Sequence, residues 1–197
     1  MNTRAIICFC IFLSALIVAC NSPYTYKKKG YYKIDFPEKK YQLFDEPGYP
    51  YSFEYPTYAT IIKDTSFFEA KPENPWWINI DVPSLHGRIY ISYKEVRKNN
   101  FDSLVTDAFK MAYKQHVDVS TGIEESPLQT PHHAEGFYFS LAGNTATANQ
   151  FFLTDSTTHF LRGALYFDAT PNEDSLGIVN DFLKKDLNHL INTLQWK

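Results

Sequence analysis

The chain has 197 residues, a formal net charge of -3 and 17% aromatic residues. That length suits one domain of ordinary size behind a leader, large enough to bury a core without disulfide or metal staples. The near-balanced charge lacks the basic excess of a nucleic-acid binder, so no nucleic-acid partner is expected, and the Tyr and Phe content argues for strands and contact surfaces rather than disorder.

The leader comes first. Arg4 supplies a positive start, and Ala5 to Val18 is apolar apart from one Ser. This is the length of a signal-peptide core and short of the roughly 20 apolar residues that a membrane span requires. The stretch ends Ile17-Val18-Ala19-Cys20, an aliphatic-x-small-Cys lipobox. Residues 1–19 therefore read as a lipoprotein signal peptide and Cys20 as the lipid attachment (palmitate) residue. Cys8 and Cys10 lie inside the leader, and no cysteine follows Cys20. The mature body can form neither an internal disulfide nor a thiolate metal site. Residues 20–30 read as a lipidated tether, polar and aperiodic, with Lys27, Lys28 and Lys29 beside the bilayer and no acidic residue. Residues 31–197 read as a single domain.

Within that domain, Tyr31 to Phe44 is extended around Pro37. Tyr51-Ser52-Phe53-Glu54-Tyr55 alternates with its aromatics on one face, and 58–63 reads as its partner strand across the Pro56-Thr57 link, as a hairpin or a bent strand. Trp76 to Asp81 and Arg88 to Tyr93 are two further strands, punctuated by Pro83 and Gly87. Asn100 caps a helix whose apolar stripe is Phe101, Leu104, Val105, Ala108, Phe109 and Ala112, ending near His116. Val117 to Glu125, Gly136 to Leu141, Thr147 to Thr154 and His159 to Phe167 return to strands, the last two joined in a hairpin by Asp155 to Thr158. A final helix, capped by Asp174 or Ser175, carries Val179, Phe182, Leu183, Leu187, Leu190, Ile191 and Leu194 on one face and runs nearly to Trp196. The pattern predicts an α+β fold, a mostly antiparallel sheet covered by two main helices. The order of elements also resembles the PsbP-like α/β sandwich.

No constellation carries a recognisable chemistry, so no catalytic, cofactor-binding or metal residue is expected. His132-His133 is the one adjacent histidine pair, and neighbours on a strand point to opposite faces, so a loop position is the better reading. A third ligand from His86, His116, His159 or an acid has no spacing to support it. Asp155-Ser156 with His159 is the nearest approach to a hydrolytic triad, in a setting that suits hairpin turn residues better. There is no G-x-S-x-G elbow, S-x-x-K pair or phosphate loop. Trp76-Trp77 offers a candidate sugar or peptide platform, one ring facing the core and the other away. The tyrosines from Tyr24 to Tyr58 suit either a protein-contact surface or sheet packing.

Several stretches resemble the gliding-motility lipoprotein GldD family of Bacteroidota. They are GYYKIDFPEKKYQLFD (Gly30 to Asp45), YSFEYPTYA (Tyr51 to Ala59), NIDVPSLHGRIYISYK (Asn79 to Lys94), NQFFLTDSTTHFLRGALYF (Asn149 to Phe167) and the closing LINTLQWK. The resemblance implies a lipoprotein required for gliding, partnered with the gliding and type IX secretion machinery, with no enzyme activity, cofactor or small-molecule ligand. It carries over only Cys20, as the lipidated residue. The acid-free tether points to an outer-membrane anchor facing the periplasm. The alternative is a periplasmic lipoprotein that binds or processes glycan or cell-wall material.

Overall fold

Side chains of a strand alternate between its two faces, and that alternation is legible throughout the computed structural model, which describes residues 33–64, 72–114 and 118–197. Residues 1–32, on which the signal-peptide, Cys20 and tether expectations fall, lie outside the described residues, as does His116. The described strands are β1 (Tyr41–Phe44), β2 (Tyr51–Pro56), β3 (Thr60–Lys63), β4 (Ile78–Val82), β5 (Gly87–Glu95), β6 (Ser120–Gln129), β7 (Glu135–Gly143), β8 (Asn149–Thr154), β9 (His159–Phe167) and β10 (Gln195–Trp196). The described α-helices are α1 (Phe101–Lys114) and α2 (Glu173–Thr193). Residues Asp35–Lys197 form one compact unit.

The strands pair antiparallel into a seven-stranded sheet, ordered β3-β4-β5-β9-β8-β7-β6, and a three-stranded sheet, ordered β1-β2-β10. This is the expected α+β class. The large sheet is two meanders, β3-β4-β5 and β6-β7-β8-β9, joined where β5 pairs with β9. Helix α1 links the central β5 to the edge strand β6.

One face of the large sheet is mostly apolar. Ile78, Ile80, Ile89, Ile91, Phe151, Leu153, Leu161 and Leu165 cluster with Phe53 of the small sheet and with Val179, Leu183, Leu187, Leu190 and Ile191 of α2. Two glycines permit the close approach. A Cβ at Gly87 would stand 2.5 Å from Leu183 Cδ1, and one at Gly163 would stand 2.1 Å from Phe151 Cε1. The opposite face carries a second core, in which Leu104, Ala108 and Ala112 of α1 meet Phe139, Leu141, Phe152 and Phe160. Phe109 meets Phe139 edge-on at 5.0 Å.

Four local expectations change in the folded chain. Strand β3 pairs with β4, not with β2. The chain turns after Pro56 and passes from the small sheet to the large one, leaving β2 between β1 and β10. The partner on β2's other side is Gln195–Trp196, at the far end of the chain. Strand β6 continues through Pro127 to Gln129, because it is an edge strand and an edge tolerates a residue without an N–H. Helix α2 is capped by Asn172, whose side chain accepts from the Ser175 N–H at 3.1 Å. At α1 the Asn100 cap is as predicted, Oδ1 accepting from the Ser103 N–H at 3.0 Å.

Candidate functional site

The candidate residues that fall among the described ones each have a definite place. The indole N–H of Trp76 donates to the Gly48 carbonyl, and that of Trp77 to the Tyr93 carbonyl, both at 2.8 Å. Both rings are half-buried against the same core. They do not divide between core and outside, because they precede β4 and escape strand alternation. The tyrosines of β1 and β2 are packed too: Tyr51 is buried, donates to the Trp76 carbonyl, and has its hydroxyl pKa pushed far up, chiefly by desolvation.

Asp155 is a turn-closing residue. Its Oδ1 accepts from the backbone N–H groups of Thr157, Thr158 and His159 at 3.0, 2.8 and 2.8 Å. Burial would raise this carboxyl, but those N–H groups outweigh it and hold the pKa down. His159 turns Nδ1 to the Tyr93 hydroxyl at 2.7 Å and Nε2 toward Asp155 at 4.0 Å. Its ring stacks on Trp196 at 5.0 Å. Desolvation lowers its pKa, against the pull of Asp155 and Glu95. With both ring nitrogens facing other partners, His159 is not set up as a base for Ser156. His132 and His133 occupy the Thr130–Ala134 turn, His133 in the left-handed region at φ 60. Among the described residues, no group of three or more His, Cys, Asp or Glu could hold a metal ion.

Two arrangements emerge that local patterns did not predict. The first fastens the segment leading into β1 onto α2. Asp186, 1% exposed, accepts from Lys39 Nζ at 2.6 Å, from the Tyr41 hydroxyl at 2.9 Å and from the Tyr58 hydroxyl. Phe36 stacks on Phe182 at 4.4 Å, and Tyr41 stacks on His189 at 3.6 Å. His189 in turn meets Glu54 Oε2 at 2.7 Å. Phe182, Asp186 and His189 share one helix face by their four- and three-residue steps. Burial, then the bond to Asp186, push the Tyr41 hydroxyl up to about 12. A sequence signal existed: Asp186 interrupts the apolar stripe between Leu183 and Leu187, and an acid on such a stripe needs a partner.

The second arrangement lies on the outer face of the large sheet, at the β3–β5 end. A concavity of about 970 Å³ opens there, lined by residues of β3, β4, β5 and β9. Asn79 and Asp81 point into it because they alternate with core-facing Ile78, Ile80 and Val82. Tyr90 and Tyr166 meet edge-on at 5.4 Å, and Arg88 pairs with Asp81 at 2.8 Å. Arg162 donates to Gln150 Oε1, and no carboxylate among the described residues lies within ion-pair distance. Burial draws its pKa down, opposed by Tyr166. Asn79 is 9% exposed, and its buried Oδ1 has no hydrogen-bond partner.

With these sites placed, comparison with known proteins defines the kinship. A family model described as gliding motility lipoprotein GldD matches residues 21–196. The chain belongs to the GldD family. That kinship makes it a gliding-motility lipoprotein in kind. Comparison with curated proteins found no match. Among solved structures, the chain is similar to cyanobacterial PsbP from Synechocystis at 8% identity and a TM-score of 0.45, covering 87% of this chain and 99% of that one. The architecture of this GldD-family chain rests on the strand pairing above. Among its described residues, no helix is long and apolar enough to cross a membrane.

Proposed function

We propose that this chain is an outer-membrane-anchored lipoprotein required for gliding motility, acting as a non-enzymatic assembly or stabilising component of the gliding and type IX secretion machinery. The family match over residues 21–196 carries this reading. The lipobox supports the anchor: the matched region begins one residue past Cys20, where the apolar leader ends. Residues 1–19 are then removed, Cys20 is lipidated, residues 20–30 form the tether and 31–197 the working domain. Acyl chains contribute about 0.8 kcal/mol for each buried CH₂, so two or more give stable attachment. The tether's lysines and lack of acids support a periplasm-facing orientation.

The non-catalytic role draws support from how the candidate groups are spent. His159 and Asp155 close a hairpin, and Trp76 and Trp77 bind backbone carbonyls. The glycan reading loses its Trp platform with them. Asp186 and its partners fit a protein that must transmit attachment from a tether to a folded body, since they fasten residues 36–41 to the core-packed helix α2.

Deleting the chain is expected to abolish gliding and lower the levels of envelope partner proteins. A deletion strain that glides and secretes normally overturns the proposal. Cys20→Ala is expected to lose lipidation and membrane retention while the body still folds, read by acyl labelling and fractionation. Protease treatment of intact cells should leave the domain uncut, and its removal would reverse the assigned orientation.

A further inference from the structure

We infer that the concavity on the outer face of the large sheet is a binding site for a small organic carboxylate. This goes beyond the assembly role and rests on neither the anchor nor the family. Its volume of about 970 Å³ lies in the range of small-ligand pockets.

The polar groups specify the ligand. Arg162 has five N–H donors in a planar fork. Its described hydrogen bond is from one Nη to Gln150, and that bond orients the fork and leaves the other donors open. A desolvated guanidinium without a carboxylate is costly in isolation, and a bidentate carboxylate is its best complement. Asn79 supplies the second contact, as a nearly buried side chain whose Oδ1 has no partner. It lies on β4, two strands across and two residues of register from Arg162 on β9, about 12 Å at ordinary strand spacing and rise. Between them run Tyr90, which pairs with Asn79, and Ala164, which pairs with Tyr90. Ala164 is the small residue that leaves room there, and the edge-on Tyr90–Tyr166 pair offers an apolar wall. The site thus fits a carboxylate at one end, a ring or short apolar body in the middle and a hydrogen-bonding group at the other.

Charge favours a monoanion. The lining residues include Lys63, Arg88 and Arg162 against Asp64, Asp81 and Asp168. Arg88 is matched by Asp81, leaving Arg162 as the deep cation. A phosphate dianion would meet those acids with one more negative charge than the single guanidinium neutralises.

The test is isothermal titration of the full chain in detergent with glucuronate, glucose, alanyl-alanine, its C-terminal amide and inorganic phosphate. Saturable binding of glucuronate or alanyl-alanine is expected, with the matching neutral probe at least about tenfold weaker, because the charge-assisted contact is lost. Binding of glucuronate would identify an acid sugar as the source, and binding of the dipeptide a peptide terminus. Arg162→Met should weaken binding by about tenfold or more, and Asn79→Ala by about threefold to tenfold, since each removes one directed contact. Asn79→Ala decides the matter if Arg162→Met fails to fold. The proposal is overturned if neither carboxylate binds, if neutral probes or phosphate bind as well, or if the folded variants bind like the parent.

Discussion

The two faces of the seven-stranded sheet are built by the same alternation and end in different states. The inner face is mostly apolar and lies under α2 and the small sheet. The outer face is divided. Its β7–β9 portion presents Phe137, Phe139, Phe152 and Phe160 to α1. Its β3–β5 portion presents Asn79, Asp81, Arg88 and Tyr90 to an open concavity. The contrast separates stability from availability. Where a helix supplies cover, the strand offers rings and aliphatics that gain from dehydration. Where none does, it offers polar groups: Asn79 is nearly buried with no partner for its Oδ1, and Arg162 is half-buried and donates to Gln150 rather than to a carboxylate.

Substitutions can break this contrast, and the largest effect belongs to the inner face. Leu187 is fully buried beneath the sheet, and Leu187→Ala should cost about 2–5 kcal/mol, read by urea unfolding. A loss below about 1 kcal/mol would show that the inner core does not set stability. Next comes Asp186→Ala, which strands Lys39 and two tyrosine hydroxyls. The expected cost is about 2–4 kcal/mol, below that of a wholly buried pair because Lys39 keeps 25% exposure. Proteolysis near residue 39 should also accelerate, and an unchanged cleavage rate would mean that the segment is held elsewhere.

A smaller effect is pH-dependent. The folded pKa of His159 lies below its ordinary value, chiefly through burial, so the unfolded chain takes up this proton first as pH falls. Its contribution is present above about pH 6.5 and is lost as pH drops through the folded value. The parent should therefore lose more stability between pH 7 and pH 5 than His159→Gln. Parallel curves for the two proteins would remove His159 from the acid response. Smallest of all is Asn79→Ala on the open face. It deletes an amide whose Oδ1 has no partner to lose, so stability should change by less than about 1 kcal/mol in either direction. A large loss there would mean that the outer face is structural after all.

Local patterns carried much of the architecture. Strand β2, the hairpin from β8 to β9, and the stripes of α1 and α2 follow from spacing alone, because each is set by which neighbours share a face. The departures occur where distant chain decides. Residues 60–63 have the spacing of a strand, but nothing local says that Ile61 faces Ile80 rather than a residue of β2. The two residues of β10 are too few to show a period, and β2 recruits them only because α2 delivers the C-terminus beside it. Pro127 reads as a strand breaker until its strand proves to be an edge.

The same division holds for function. The sequence by itself determined the lipobox pattern ending at Cys20, the acid-free stretch behind it, the α+β class and the family kinship. Each is a property of residues adjacent or regularly spaced in the chain. Tertiary structure alone decided that Asp186 would meet Lys39, Tyr41 and Tyr58, and that Asn79 and Arg162 would line one concavity. Those groups stand far apart in sequence. Burial makes their polarity consequential, and burial is a property of the packed sheet and helices rather than of any segment.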